Sequence, residues 1–376
     1  WSIATDTGVN LLTPGETPYE NAQFLLFLCA VIKAVDDYQD LLRLSAATAG
    51  NDHRLGANEA PPAVVSMFLG DELTAVLKAI EEDAPYEGSE KTQMKLGVHV
   101  LPKFTRDTTD RNRTSPFAFT GNKFEFRMLG SSNSIACTNI MLNSAVAESL
   151  KVYADRLEGV EDFETALHDM IKKTIKDHKR IIFNGNGYDD KWIEEATKER
   201  GLLNLRTTPD CMPMLLAKKN VDMLTSHKVF SQAELKSRYE IQMDNYCKTV
   251  NIEGLTMVDM AKKEIIPAVC EYVTDLSEGL AAKKAAVPSL KCAYESKQIT
   301  RLSALTDQMD EAADDLEDAL IKLKAVTDVT EAANNIRDVI LPKMAVLRVA
   351  CDEAETLTGE DYWPFPTYDK LLFGVR

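Results

Sequence analysis

The sequence predicts an α+β protein in which an antiparallel sheet with helices, residues 1–136, precedes a long-helix domain, residues 137–376. Short aromatic and β-branched segments bounded by Gly, Pro and Asn are confined to the first part. Beyond Cys137, apolar residues recur at spacings of three and four over long stretches. With 45% hydrophobic and 27% charged residues among 376, the composition is typical of a globular protein of one large domain or two.

The first predicted helix runs from about residue 18 to residue 46. Its start is indicated by residues 17–20, Thr-Pro-Tyr-Glu, which have the order of a capping box with proline at the first helical position. Because residues 24–35 are apolar nearly all round, most of this helix is expected to be covered. Residues 47–62 are dense in Gly, Asn, Asp and Pro and predict a loop, and residues 71–82 predict another helix.

Three strands are then predicted, at residues 96–101, 115–119 and 123–128. The rest of the chain reads as helices, at residues 137–158, 161–183, 231–250, 254–283, 288–325 and 328–357. The acidic residues 307–318 are interpreted as a solvated helix face, and Asn184-Gly185-Asn186-Gly187 as a turn, because it lacks the remainder of a phosphate-binding loop.

Net charge, cysteine content and hydropathy exclude several classes of protein. A formal net charge of -16 disfavours nucleic acid as a partner. The seven cysteines are scattered without the spacing of a disulfide framework or zinc site, which favours the cytoplasm. The longest apolar run, residues 24–32, is about half the length needed to cross a bilayer, so no membrane partner is expected. The amino end has no signal-peptide pattern, and Trp1 suggests a cut inside a longer protein.

A cationic stretch stands out in this acidic chain, between residues 103 and 127. It contains the six cations Lys103, Arg106, Arg111, Arg113, Lys123 and Arg127. Because alternate side chains of a strand share a face, Lys123, Glu125 and Arg127 are expected on one side and their apolar neighbours on the other. A carboxylate between two cations can serve a metal–polyphosphate site, since carboxylates bind hard cations and Lys or Arg neutralise phosphate. The alternative is a ladder of ion pairs on a solvated sheet.

Three motifs of this region resemble the signatures of glutamine synthetases. They are Arg54-Leu55 followed by Glu59-Ala60-Pro61, Asn112-Arg113-Thr114-Ser115, and Lys123-Phe124-Glu125-Phe126-Arg127. The longer sequences of residues 51–62, 114–122 and 362–368 are similar to those of type III members, so the resemblance extends over the whole chain. It implies the C-terminal part of the catalytic domain followed by a type III helical domain, with the amino-terminal β-grasp domain before residue 1.

The resemblance implies a role for seven residues. Glu125 corresponds to a metal ligand, Arg127 to a residue near the transferred phosphate and the substrate carboxylate, and Arg113 to a residue that stabilises phosphoryl transfer. Lys123 and, less firmly, Ser2 correspond to positions facing the nucleotide. The other two correspondences are Arg54, for the glutamate α-carboxylate, and Glu59, for a flap that closes the site and receives ammonium.

The implied reaction is ATP-dependent ligation of ammonia to L-glutamate through a γ-glutamyl phosphate, with Mg²⁺ or Mn²⁺ as cofactor. The implied assembly is a homo-oligomer, a dodecamer of two hexameric rings. One departure is Ala118, where other classes carry a phosphate-contacting arginine that Arg111 or Arg106 would have to replace.

Two hypotheses from different classes remain open at this stage. The first is a ligase whose active site is incomplete in this chain, and the second is a non-catalytic relative that serves as an assembly or regulatory subunit. The ligase is favoured by the presence together of Arg54, Glu59, Arg113, Glu125 and Arg127. The five histidines show no metal-ligand spacing and are interpreted as surface or hydrogen-bonded residues, with His53 keeping a minor claim to a functional role because it lies in the substrate loop.

Overall fold

Residues 1–57, 60–86 and 115–374 are described by the structure, a computed structural model. The strands are β1 (Met67–Phe68), β2 (Phe117–Phe119) and β3 (Phe124–Phe126). The helices of the first unit are α1 (Ala22–Asp37), α2 (Gln39–Ser45), α3 (Ala49–Arg54), α4 (Asp71–Glu81), α5 (Ala136–Leu157), α6 (Phe163–His178), α7 (Asp190–Glu194), α8 (Thr208–Cys211) and α9 (Lys218–Ser226). They are followed by α10 (Gln232–Met260), α11 (Ile266–Ala286), α12 (Ala293–Leu323), α13 (Val329–Asn335), α14 (Leu341–Leu357) and α15 (Tyr368–Phe373).

The chain packs as two units, Trp1–Tyr239 and Glu240–Arg376. These units reflect packing alone, so the division by function between residues 136 and 137 stays a prediction. No helix of the described ranges has both the length and the apolar composition that crossing a bilayer demands.

The first helix starts later than predicted and is divided in two. Residues 18–20 form a turn, and the helix is capped by Asn21, whose Oδ1 accepts from the Phe24 N–H at 3.0 Å. Thr17 is therefore not the cap, because the asparagine nearer the apolar stretch satisfies the free N–H groups of the first turn. Tyr38, with φ −121°, separates α1 from α2. The expected covering of residues 24–35 is confirmed, since nine of these twelve residues are buried and the other three are half-buried.

The stretch predicted as a loop, residues 47–62, contains the short helix α3. The Thr48 side chain caps it by accepting from the Asn51 N–H at 3.2 Å. The prediction was wrong here because Asn51 and Asp52, which look like loop residues in sequence, are held in the helix by distant partners. The described part of the loop proper is residues 55–57 and 60–62, with Gly56 at φ +80°.

The sheet is mixed rather than antiparallel. β2 and β3 pair antiparallel as predicted, but β1, which was not predicted, pairs parallel with β2 through Met67↔Phe117 and Phe68↔Ala118. The predicted strand at residues 96–101 lies outside the described residues. The predicted helix at residues 71–82 is confirmed as α4.

The core of the first unit joins this sheet to the helices. Helix α1 packs against α5 and α6, and α4 packs against α6. Phe117, Phe119 and Phe124 of the sheet are buried in the same cluster as the apolar residues of α1. Their rings stack or meet edge to face, with centroids 4.8 Å apart for Phe117 and Phe124 and 5.2 Å apart for Phe119 and Phe124. The small sheet is thus fixed on its apolar side.

In the second unit, the long helices pack side by side, α11 against α12 and α12 against α14. The predicted break between residues 250 and 254 is absent, because α10 continues through it. Gly254 suits this position, since a Cβ there would lie 3.2 Å from both Cδ atoms of Leu320 on α12.

Two π-helical segments, Ala261–Ile265 and Ile336–Ile340, join α10 to α11 and α13 to α14 without interrupting the helix. Each lies just before a proline, Pro267 or Pro342, which lacks an N–H and whose ring would clash with the carbonyl four residues earlier in a regular α-helix. A wider turn relieves that clash.

Candidate active-site strand face

The hairpin of β2 and β3 presents the motif that the sequence singled out. Phe117 pairs with Phe126, Ala118 with Glu125 and Phe119 with Phe124. The connection is closed by the Thr120 N–H, which donates to the Lys123 carbonyl at 2.8 Å, and Gly121 supplies the positive φ of +90° that the turn needs. This short, tight hairpin keeps Glu125 in a fixed register.

The side chains after Lys123 alternate between two environments. Phe124 and Met128 are fully buried, whereas the side chains of Glu125 and Arg127 are 37% and 22% exposed. Glu125 Oε2 accepts from Arg127 Nη2 at 3.1 Å, which places the two side chains on the same face. Lys123, in the bend just before β3, is exposed. The carboxylate is therefore not turned into the core, and it is available to solvent.

Ala118 lies directly opposite Glu125 in the ladder and is buried. In an antiparallel pair, residues directly opposite each other have neighbouring Cβ atoms on the same face. The position where an arginine was expected from the resemblance thus adjoins Glu125, and alanine there leaves Arg127 as the cation paired with this carboxylate in the described part of the chain.

The outer edge of β3 is covered by the start of the chain. The backbone nitrogen of Trp1 donates to the Phe124 carbonyl and the Phe124 N–H donates to the Trp1 carbonyl, both at 2.8 Å. The Trp1 indole N–H donates to Asn143 Oδ1 at 2.8 Å. Ser2 lies beside the turn of the hairpin, its Oγ 3.5 Å from the Asn122 carbonyl. The structure thus brings Ser2 close to Lys123 in the fold.

Helix α3 attaches to the end of the same strand. Arg54 donates from Nη1 to the Met128 carbonyl at 3.0 Å and from Nη2 to the Arg127 carbonyl at 3.1 Å. Asn51 is buried and donates from Nδ2 to the Met128 carbonyl at 2.8 Å. A substrate contact for Arg54 would require part of its guanidinium to leave these carbonyls, so that role stays a prediction.

The other side of α3 is held by a buried ion pair. Asp52 Oδ1 lies 3.3 Å from Arg43 Nη2, and Asp52 Oδ2 accepts from the Thr208 N–H at 2.6 Å. Burial raises the pKa of Asp52, and the bond from Thr208 and the charge of Arg43 oppose that rise. Arg43 also donates to the carbonyls of Leu205 at 2.7 Å and Arg206 at 2.8 Å. Sequence reasoning missed this pair, since its residues lie nine apart in two elements that share no motif.

Two of the predicted site residues, Glu59 and Arg113, lie outside the described residues, as do Arg106 and Arg111. The structure brings together Ser2, Lys123, Glu125 and Arg127 around β3 and attaches Arg54 to the strand's end. His53 is exposed on α3. His178 and His227 have acidic partners, Asp36 at 2.8 Å and Glu148 at 2.6 Å.

The described residues contain one group of three potential metal ligands, Asp36, Asp37 and His178. It is remote in sequence from the strand motif, and its carboxylates are already paired. Arg180 Nε lies 2.8 Å from Asp36 Oδ1, and Lys33 pairs with Asp37. The group is thus part of an ion-pair network outside the motifs that the sequence singled out, and the strand face, which carries one of those motifs, remains the candidate site.

A carboxylate beside a cation on a rigid, solvent-facing strand is compatible with the class of proteins that bind metal–phosphate groups. Comparison with known proteins identifies the family within this class. The family model described as the glutamine synthetase C-terminal domain matches residues 166–284. The glutamine synthetase of Butyrivibrio fibrisolvens is 44% identical over 381 residues, covering 100% of this chain and 54% of that protein.

Two further relatives are also glutamine synthetases. The type-3 glutamine synthetase of Dictyostelium discoideum is 38% identical over 99% of this chain and 52% of its own length. The glutamine synthetase of Bacteroides fragilis (strain YCH46) is 37% identical over 99% of this chain and 52% of its own length. The chain belongs to the glutamine synthetase family. It spans about half the length of these curated relatives.

Proposed function

We propose that this chain is part of a type III glutamine synthetase that ligates ammonia to L-glutamate, using ATP and a divalent cation, Mg²⁺ or Mn²⁺. The observation that carries the proposal is the contact between Glu125 and Arg127 on the solvent face of β3. The full-length protein would act in the cytoplasm as a homo-oligomer, a dodecamer of two hexameric rings.

Glu125 fits the cation as one ligand. Hard divalent cations bind carboxylate oxygens and, in the case of Mg²⁺, usually keep several waters, so one carboxylate is a suitable but insufficient protein contribution. Within the described ranges, the strand face does not have three potential ligands together. The remaining ligands would come from water, substrate phosphate or parts of the protein beyond this chain. The ion would supply charge neutralisation at phosphate oxygens.

The protein's own side chains would neutralise and position the reacting groups. Because Arg127 Nη2 lies 3.1 Å from Glu125, a phosphate held by Arg127 would lie beside a cation held by Glu125. Lys123 and Ser2 would face the nucleotide, and Lys123 would act as a point charge rather than a bidentate fork. Arg113 would stabilise the transferred phosphoryl group, and Glu59 would close the site and receive ammonium. Most of the barrier to such a transfer is lowered by position and charge, which these residues supply.

The test compares Glu125→Ala with a matched control, Glu81→Ala, in the full-length protein. The Glu81→Ala change also removes a single ion pair, the one between Glu81 and Lys179 at 2.6 Å. Glu81, however, lies on α4 and not on the strand that carries the motif. We expect Glu125→Ala to lower kcat about 100-fold or more and to weaken Mn²⁺ binding followed by electron paramagnetic resonance, with thermal stability unchanged. Glu81→Ala should keep both properties.

Normal turnover and Mn²⁺ binding in Glu125→Ala would remove the metal role. An assembled wild-type protein that forms no glutamine would instead favour the non-catalytic alternative, an assembly or regulatory subunit.

A further inference from the structure

The second unit contains a cavity of about 520 Å³ that the proposed reaction does not use. It lies between α10 and α14, and its wall is completed by the π segment after α10 and by the chain that follows α14. All of its lining residues fall within residues 252–365, so a single unit forms it. The volume of this α10–α14 cavity is in the range of about 300–1,000 Å³ that is usual for small-molecule sites.

The inner wall of the α10–α14 cavity is apolar and adaptable. It includes three half-buried methionines, Met257 and Met260 from α10 and Met344 from α14, together with the buried Ile265. Methionine side chains are flexible, and their sulfur atoms make favourable contacts with aromatic rings. A wall of this kind favours a ligand with an aromatic body over a sugar or another polar molecule.

Two aromatic residues after α14 also line the cavity. The rings of Trp363 and Phe365 meet edge to face, with centroids 6.3 Å apart, and offer a further aromatic surface. Trp363 Nε1 is buried and has no hydrogen-bond partner among the described residues. Because a buried donor is normally paired, an acceptor on a bound molecule would satisfy a group that this part of the chain leaves unpaired.

The mouth of the α10–α14 cavity is acidic. Its charged side chains are Glu253 from α10 and Arg348, Asp352 and Glu355 from α14, all of them exposed. Arg348 Nε donates to Asp352 Oδ1 at 2.5 Å, so these two charges compensate each other. Glu253 and Glu355 have no ion-pair partner within the described ranges. The mouth therefore has two uncompensated negative charges, which are complementary to a cation.

The apolar wall, the unpaired indole N–H and the acidic mouth together define one class of ligand. We propose that the α10–α14 cavity binds a small primary amine that carries a hydroxylated aromatic ring. The ring packs among the methionines and the two aromatic residues, and the ring oxygen accepts from Trp363 Nε1. The ammonium group lies at the mouth, beside Glu253 and Glu355. None of these residues belongs to the strand motif, so this inference does not rest on the proposed function.

The experiment measures the binding of tyramine to the full-length protein by isothermal titration calorimetry. A molecule of this size in such a cavity should bind with a Kd of about 0.1 mM. The comparison compound is 2-(4-hydroxyphenyl)ethanol, which has a hydroxyl group in place of the ammonium group. It should bind about fivefold more weakly, since exposed carboxylates contribute modestly to the affinity of a cation. Added salt should weaken tyramine and leave the alcohol unchanged.

Two sets of variants locate the site. Thr256→Arg places a long cationic side chain at the mouth and should weaken tyramine binding more than about tenfold. Thr300→Arg, at an exposed threonine of α12 that does not line the cavity, is the matched control and should bind as the wild type. Glu253→Gln combined with Glu355→Gln should weaken tyramine about fivefold and leave the neutral alcohol unchanged.

The indole contact has its own variant. Trp363→Phe keeps an aromatic ring, removes the N–H donor and should weaken both compounds about threefold or more. Phe365→Leu is the matched control, since it alters the other ring of the pair without removing a hydrogen-bond donor. A Trp363→Phe variant that binds tyramine as the wild type, or more tightly than Phe365→Leu, would contradict the assigned contact.

Three results would overturn the inference as a whole. They are an absence of tyramine binding to the wild type, equal affinities for tyramine and the alcohol, and unchanged affinity in Thr256→Arg. Tyramine binding should also persist in Glu125→Ala, and its loss there would place the amine at the strand face instead. An active wild type that fails to bind tyramine would overturn this inference alone, whereas a wild type that binds tyramine and forms no glutamine would count against the proposed function alone.

Discussion

Arg43 and Asp52 form an ion pair between α2 and α3 whose side chains are only 1% and 6% exposed, with Nη2 and Oδ1 3.3 Å apart. Such a pair gives little net stability when formed, because both charges lose their hydration. Removing one partner is much more costly, since it leaves the other charge buried. The pair therefore holds α3 in one place rather than adding to the overall stability.

Asp52→Asn should destabilise the protein strongly, because the NH2 group of asparagine would face either the Thr208 N–H or the Arg43 guanidinium, and each of these donors needs an acceptor. We expect a loss of about 3–5 kcal/mol, seen as a lower thermal midpoint. Replacing both residues, as Arg43→Met with Asp52→Leu, should cost less than the sum of the single changes. Asp222→Asn, which breaks the exposed pair with Lys218, serves as the control and should change stability by less than about 1 kcal/mol. Additive single effects in the double variant would contradict the coupling.

The same carboxylate makes stability depend on pH. Because burial raises the pKa of Asp52 in the folded protein, the folded state binds its proton more tightly than the unfolded chain. The stability of the wild type relative to Asp52→Asn should thus be greatest below the usual aspartate pKa of about 3.9. It should fall as the pH rises from there through the raised pKa, and then level off. Denaturation of both proteins at several pH values from 4 to 7 gives this difference. An opposite slope would mean that Arg43 and Thr208 lower the pKa of Asp52 by more than burial raises it.

Lys123 should affect nucleotide affinity more than turnover, since it is exposed in the bend just before β3. Lys123→Gln in the full-length protein should raise the KM for ATP about 10-fold, because a phosphate loses one cation, and Lys123→Arg should restore most of it. Lys176→Gln, an exposed lysine on α6, is the control. An unchanged KM for ATP in Lys123→Gln would remove Lys123 from the proposed site.

The cysteine thiols should differ sharply in their reactivity. Burial raises the pKa of Cys29 and of Cys211 to about 12, whereas Cys270 is exposed. The thiolate is the reactive form, so alkylation of the native protein at pH 8 should modify Cys270 and leave the two buried residues intact. Peptide mass spectrometry before and after denaturation measures this. Labelling of Cys29 at the rate of Cys270 would show that the core around α1 opens readily.

Gly254→Val should destabilise the second unit, because a Cβ at Gly254 would already lie 3.2 Å from Leu320 and a branched side chain must push the helices apart. We expect a loss of about 1–3 kcal/mol. Gly279→Val is the matched control, since it lies inside α11 with no atom within 4 Å of its added Cβ. Equal thermal midpoints for the two variants would argue against close packing at Gly254.

The charged strand face followed from sequence because its signal is local. Lys123, Glu125 and Arg127 are spaced by two, and the apolar residues between them complete the alternation. The attachment of α3 to the end of β3 gave no such signal, since Asn51 and its acceptor Met128 are 77 residues apart. Strand β1 was missed because two residues, Met67 and Phe68, cannot display a period.

Helix boundaries show the same limit. The start at Thr17 was wrong because a good capping sequence competed with Asn21, and only the tertiary position of the apolar residues decides between them. The break expected near Gly254 was wrong because glycine weakens an isolated helix but permits close packing of two helices. In both cases the helix boundary is set by tertiary contacts, which the sequence alone does not reveal, and not by local propensity.

The proline-linked π segments affect how the second unit tolerates length changes. A π turn accommodates one more residue than an α turn, so each segment offsets the angular phase of everything after it by about 100°. Buried positions on both sides, such as Val258 and Val269 around Ala261–Ile265, face the core with that offset included. Deleting one residue from a segment would rotate the following helix about its axis and turn Val269 out of the core. In these helices, the number of residues is therefore constrained as tightly as their identity.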